Sequence, residues 1–406
     1  MRHSAGRIPQ DGAVMFEIEE RGVVFDAAIQ SAAARTACFT SLCRLRAGDL
    51  LCSFQLGSGK HAVDSRIGMC RSRDGGRTWV REEHAWQTTR DGIPGSLAAG
   101  ELIEAAPDRL LLFATWFDRS DPERPLFDAQ TQGILHSRQL LAESADGGRT
   151  WSDWRELLTP GLRGCAMTGP PVLLGDGRIA FAFESFREFD DPQPAHHAAW
   201  VLMSNDGGRS FGTPMCVAKH PQNTVYYWDQ RLCAGRQPNE FTALFWTHDL
   251  AQQCDLSVHQ LQGRVVDGAA RGEAVGRVES AAGITDTGIP GQIAAPLRLA
   301  DGRLVAFVVD RSGPCTMSLW SSRNDGLDWP MAGRFVVYRH EEQARLSQGQ
   351  SGIDFSGYWD DMIRWSFGHP AICELDPERL LVAWYAGVPG CLSLHWARVR
   401  VAAGEP

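Results

Sequence analysis

The sequence predicts an all-β chain built from short four-stranded antiparallel units, and three observations carry that reading. An eight-residue pattern returns along the chain at near-regular intervals. The 406 residues include 42 Gly, 21 Pro and 14 Trp, a composition suited to short strands, tight turns and aromatic packing between sheets. No window approaches the 18 consecutive apolar residues of a membrane helix.

The repeat is explicit. It runs Ser72-Arg73-Asp74-Gly75-Gly76-Arg77-Thr78-Trp79, then Ser144 through Trp151, Ser204 through Phe211, and the degenerate Ser322 through Trp329. The leading serines lie 72, 60 and 118 residues apart, and 118 is close to twice 60. A repeat of about 60 residues with one silent copy accounts for the intervals. The silent copy is expected near Gln262-Gly263, after the alternating Leu256, Val258 and Gln260. Within each copy, the carboxylate can accept turn amides, glycine supplies positive φ, and the closing Trp or Phe fills a gap between neighbouring sheets.

Taken in order, the other elements fall between these turns. Ala13–Phe25 alternates like a half-buried strand. Strand–turn–strand units follow at Ser41–Phe54, Val172–Glu184, Ala295–Asp310 and Pro370–Tyr385, with DG turns at Asp176-Gly177 and Asp301-Gly302. Counting the units gives six. The last has a third strand, Leu392–Val401, but no fourth, and Ala13–Phe25 is expected to supply it and remove an open sheet edge. Residues 1–406 are thus expected to form a single domain.

The repeated pattern resembles the Asp-box of the sialidase-like β-propellers, with three copies near-complete. That resemblance implies a six-bladed propeller of four-stranded blades. It also implies that Asp74, Asp146 and Asp206 form turns between third and fourth strands, on the face opposite the site.

Composition excludes several classes. Forty Lys+Arg against 49 Asp+Glu give a net charge of −9, and no basic stretch is present to track phosphates, so no nucleic-acid partner is expected. No membrane association and no secretory signal are expected, which points to the cytoplasm. The 11 cysteines show no CxxC pair and no Cys/His metal spacing, so they read as small buried hydrophobes in a reducing compartment. No metal and no cofactor are expected. The expected ligand is a small carbohydrate.

In a sialidase-like propeller, residues just after each second strand or just before each first strand gather at the axis. The candidates at such places are Lys60, His61 and Asp64; Glu184 and Arg187, in a polar insert running to His196-His197; Trp228-Asp229-Gln230-Arg231; Trp246-Thr247-His248; Gln292 and Arg311; and Tyr358 and His369. Resemblance implies roles for some of them. Sialidases hold a sugar carboxylate with three arginines, and here the first position reads Cys38-Phe39-Thr40, the second Thr247-His248, and the third Arg311. Asp64 resembles the acid/base aspartate, and Asp229 is the carboxylate nearest the glutamate position. Trp365 through Pro370 contains no tyrosine, so Tyr358 is the candidate nucleophile. Arg231 is a second anion donor, and Trp246 beside His248 pairs a sugar-stacking face with an acid/base group. The plainer alternatives are an inter-blade salt bridge for Asp229 and Arg231, a loop-fixing bond for His248, and a solvated loop for His196-His197.

The function expected is a cytoplasmic glycoside hydrolase acting on a small, carboxylated sugar conjugate. The alternatives are a non-catalytic carbohydrate-binding propeller and a lyase acting on a uronate-containing glycan, with His248 or Tyr358 as base.

Overall fold

The computed structural model describes residues 16–128, 130–267, 276–312, 315–340 and 365–402. Strands dominate. Strands Gly95–Ala106, Arg109–Asp118, Ser137–Ser144 and Arg155–Leu157 form one four-stranded antiparallel sheet. Ala294–Arg298, Leu304–Asp310, Thr316–Ser322 and Phe335–Arg339 form another. A third sheet is centred on Ile179–Ser185 and Ala198–Ser204, and a fourth on Val225–Ala234, Glu240–Asp249 and His259–Val266.

The largest sheet has eight strands. Its two antiparallel groups, Phe367–Asp376 through Cys391–Val401 and Thr36–Arg44 through Val80–Glu82, meet at a single parallel bridge between Thr36 and Leu392. The N-terminal strand Phe16–Phe25 pairs antiparallel along Cys391–Val401, from Phe16 opposite Val401 to Phe25 opposite Leu394. This is the pairing expected of Ala13–Phe25, whose first three residues lie outside the described ones. Phe16, Val24 and Phe25 are buried by it.

The core lies between sheets rather than at one centre. Phe113 and Phe181, from adjacent sheets, stack at 4.8 Å and 16°, and each such buried aromatic contributes roughly 1.5–3 kcal/mol. The repeated turns follow the third strands of their sheets and lie outside the cavity lining described below. The Asp146 carboxylate accepts from Ser144 Oγ, Arg149 N, Thr150 N and Thr150 Oγ1 at 2.6–2.9 Å. Asp74 and Asp206 repeat the arrangement, and Asn324 does so with an amide oxygen. Gly75 and Gly76 take φ of 69° and 89°, which side-chain-bearing residues rarely adopt. At the expected silent copy the chain makes no turn at Gln262-Gly263, because His259–Val266 continues through as strand.

One irregularity recurs. The strands Thr36–Arg44, Gly95–Ala106, Val225–Ala234 and Phe367–Asp376 each slip register, between Cys38 and Ser41, Ala98 and Glu101, Trp228 and Arg231, and Gly368 and Ala371. At each slip one non-glycine residue has positive φ: Phe39 (54°), Ala99 (53°), Asp229 (48°) and His369 (54°). Such conformations cost on the order of 1 kcal/mol or more each and persist only where surrounding structure imposes them.

Candidate active site

All four of these bulged residues line one cavity of about 130 Å³. Its polar side chains include Lys60, His61, Glu184, Asp229, Arg311, His369 and Tyr385, and Trp228, Trp246 and Trp365 form an aromatic wall. A second wall, from Phe117, Leu126, Phe127, Ile134 and Phe186, is apolar. It is shaped by two loop segments that pair in parallel, Gly133–Ile134 with Arg187–Glu188.

Among the described residues, Glu184 and Asp229 are the two carboxylates lining the cavity. Glu184 is buried on strand Ile179–Ser185 and accepts the Gln230 backbone N–H at 3.2 Å. Burial, and then the charge of Asp229, push its carboxyl well above the usual carboxylate range. Asp229 is also raised by burial, but Arg231 and Arg311 oppose that rise. The two environments differ: the Asp229 charge disfavours ionisation of Glu184, whereas the Arg231 and Arg311 charges favour it at Asp229.

Opposite them, Tyr385 Oη accepts from Lys60 Nζ at 2.8 Å and Arg311 Nη2 at 3.4 Å. Lys60 also donates to the Trp365 carbonyl at 2.5 Å. Burial, opposed by Cys38 and aided by the Arg311 charge, brings the Lys60 ammonium down from 10.5 to about 7. The Arg311 guanidinium lies over the Trp365 ring at 4.1 Å. It donates to the Phe367 carbonyl through Nε and Nη2, and to Gln292 Oε1 at 2.6 Å through Nη1. Gln292 in turn donates to Asp255 Oδ2 at 2.9 Å, and Asp255 Oδ1 accepts from Trp246 Nε1 at 2.8 Å and meets His248 Nδ1 at 3.0 Å. A polar chain thus runs from His248 through the partly exposed Asp255, Gln292 and Arg311 to Tyr385.

His369 faces the cavity in its neutral form. Arg231 Nη2, which can only donate, is 2.6 Å from Nε2, so Nδ1 carries the proton and donates to the Thr40 carbonyl at 3.2 Å. Burial and the Arg231 charge hold its pKa well below the usual 6.5. Glu101 is fully buried, and the Arg231 charge and the Ser41 hydroxyl oppose the rise that burial imposes on its carboxyl.

The structure sorts the residues nominated from sequence. Glu184, Asp229, Trp246, Arg311 and His369 line the cavity. Arg231 stands behind it, donating to His369 and to the Pro370 carbonyl, while Gln292 and His248 join through Asp255. His248 also stacks on Trp228, with ring centres 5.1 Å apart. Asp64 is exposed outside the cavity lining, where Oδ1 accepts from Ser58 N and Oγ. Arg187 is likewise outside it, binding the Asp191 and Thr131 carbonyls. Tyr358 lies outside the described residues. His197, read as loop, is instead buried. Tyr385 and Asp255 were not nominated: Tyr385 reads as part of an apolar strand, and Asp255 sits in a two-residue strand with no motif around it. Among the described residues no group of three or more His, Cys, Asp or Glu side chains is placed to hold a metal ion.

No protein-family model matches the chain, and no curated protein matches it in sequence. Solved structures do. A protein of unknown function from Dyadobacter fermentans is similar over 95% of this chain and 99% of its own, with TM-score 0.68 and 17% identity. The Hadza microbial sialidase Hz136 is similar over 94% of this chain and 68% of its own, with TM-score 0.65 and 14% identity. The chain shares the fold of these solved structures. An α-L-arabinanase from Penicillium chrysogenum, solved with arabinobiose, shares the fold over 95% of this chain and 98% of its own, with TM-score 0.54 and 13% identity. Identity this low speaks to fold alone.

Proposed function

We propose that the protein is a glycoside hydrolase acting on a small sugar conjugate in the cavity between Glu184 and Tyr385. The observation that carries this is the carboxylate pair, two acids lining one aromatic-walled cavity with environments that separate their protonation. In this reading Glu184 donates its proton to the departing glycosidic oxygen. Asp229, kept ionised by Arg231 and Arg311, supports positive charge developing on the sugar and either attacks it or activates water. Trp228, Trp246 and Trp365 offer faces for the ring. Solved neighbours named as sialidases and an arabinanase support a carbohydrate ligand.

The position of Arg311 bears on the sugar. Four of its five N–H groups are engaged by Phe367, Gln292 and Tyr385. A bidentate grip on a sugar carboxylate would have to break those bonds, whereas a neutral sugar requires no exchange. The site therefore fits a neutral sugar better than the carboxylated one expected from sequence.

Architecture and location belong to the same proposal. A single six-bladed domain is supported by the five sheets of four or more strands, the eight-stranded one dividing at its single parallel bridge into two groups of four. The hydrogen bonds of the repeated turns support their reading as Asp-boxes. Eleven cysteines without a disulfide support a reducing compartment.

A panel of neutral and acidic aryl glycosides tests the activity. We expect turnover of a neutral member, reduced about 10²- to 10⁴-fold by Glu184→Gln and by Asp229→Asn, with the sugar still bound. Undiminished turnover in either variant would remove that residue from the chemistry. Binding by the native protein without turnover of any glycoside would make it a carbohydrate-binding propeller.

A further inference from the structure

We propose that His197 is a positioning residue for Glu184, offering its bare Nδ1 to the proton on the Glu184 carboxyl and so holding the acid in its proton-bearing form. The inference rests on the reading of Glu184 as the acid, and it begins from an unsatisfied atom.

The His197 side chain is fully buried. Its Nε2 lies 2.9 Å from the Tyr227 carbonyl, an oxygen that can only accept, so Nε2 carries the hydrogen. The other nitrogen, Nδ1, then presents a lone pair. It has no hydrogen-bond partner among the described residues, and an unsatisfied buried acceptor is unfavourable. The polar atom facing it is Glu184 Oε2, at 3.9 Å. That separation exceeds a hydrogen bond by about 1 Å, within reach of a small side-chain rotation.

The ring is held for this role. Phe186 and Tyr226 each pack against it with centroids 5.1 Å away, and the Asn223 side chain accepts from the His197 backbone N–H. Protonating the imidazole itself is opposed by burial, which brings His197 down to about 4. Two neutral partners remain, a carboxylic acid with a hydrogen to donate and an imidazole with a lone pair to accept it. The other ionisable groups bearing on Glu184 and His197 are Asp229, which disfavours a second negative charge, and His196, which disfavours a positive imidazole. Arg231 and Arg311 act on this pair through Asp229, while Lys60 lines the same cavity.

A hydrogen bond to the protonated acid favours that form, so removing Nδ1 lowers the pH at which Glu184 ionises. The test follows the infrared band of the protonated carboxyl across a pH titration, with Glu184 assigned by its absence from Glu184→Gln. We expect the midpoint to fall by about one pH unit in His197→Asn, whose amide can donate to the carboxylate, and also in His197→Phe, which keeps the ring volume but has no acceptor. The alkaline limb of kcat should fall with it, leaving KM unchanged. A midpoint equal to that of the native protein, in whichever variant folds, overturns the proposal. The infrared reading does not depend on turnover. If Glu184→Gln remains fully active while the midpoint still moves, the assignment of the acid fails and the His197–Glu184 contact stands.

Discussion

The Asp146 carboxylate has four hydrogen-bond donors around it, and none of the repeated turns lines the cavity. Asp146→Ala should lower stability by about 1–2 kcal/mol at pH 7, because the turn amides lose their acceptor at a half-buried site. Turnover by the folded variant should equal the native value. The pH dependence has a definite sign. These bonds depress the carboxyl, in Asp74 from 3.8 to about 2 and in Asp146 further, so their contribution is complete above about pH 4 and is lost as pH falls through 2 at Asp74 and below 2 at Asp146. Urea unfolding of both proteins at pH 7 and near pH 2 checks this: the gap between them should narrow at low pH. A gap of unchanged size would mean the carboxylate contributes nothing specific. The turn aspartates were legible in sequence because all their partners lie within four residues. His197 and Tyr385 were not, because their partners come from distant strands. Tyr385 reaches Arg311 across Gly368, where a Cβ would stand 2.0 Å from Arg311 Nη2 and 3.2 Å from Tyr385 Oη. A linear reading has no means of seeing that gap.

At the scale of elements, alternation and DG turns marked the strand pairs well, and the N-terminal strand was visible from its period alone. The bulges were not. Nothing in Cys38-Phe39-Thr40 or Gly368-His369-Pro370 announces a residue with positive φ, yet these slips line the cavity with Phe39 and His369. Asp64 and Arg187 show the complementary case: each stands near a strand end, where sequence position suggested the axis, and each is bonded outside the cavity lining, Asp64 to Ser58 and Arg187 to Asp191 and Thr131. The terminal strand offers a direct test. Removing residues 1–25 exposes one edge of Cys391–Val401 and takes away the buried side chains of Phe16, Val24 and Phe25, whose packing together represents roughly 5–9 kcal/mol. Ion pairs from Glu17 to Arg400 and from Glu19 to Arg379 disappear as well. Against a typical stability of about 5–15 kcal/mol, that loss should leave the truncated chain insoluble or melting far below the native protein. A truncated form with the native melting temperature would show that this strand is dispensable to the fold.

For the molecule as a whole, the groups gathered near the cavity are a liability to stability, and Glu101 makes that measurable. It follows the bulge at Ala99 and is buried beside the Ser41 hydroxyl, facing the charges of Arg231 and Asp229. Burial raises its carboxyl from 4.5 to about 7, and attraction to Arg231 offsets only part of that rise. The folded state therefore binds this proton more tightly than the unfolded chain does. The resulting stability is fully present below pH 4.5 and is lost as pH rises through 7, a decline on the order of 2–3 kcal/mol from this one group. Glutamine keeps the shape of the protonated acid and cannot ionise. Glu101→Gln should match the native protein at pH 4.5 and exceed it at pH 8 by about 2–3 kcal/mol, read as a higher urea midpoint at unchanged slope. The opposite order at pH 8 would mean that the Glu101 charge is a net stabilising partner of Arg231. In that case the ion pair, rather than the buried acid, would be what this position contributes beside the cavity.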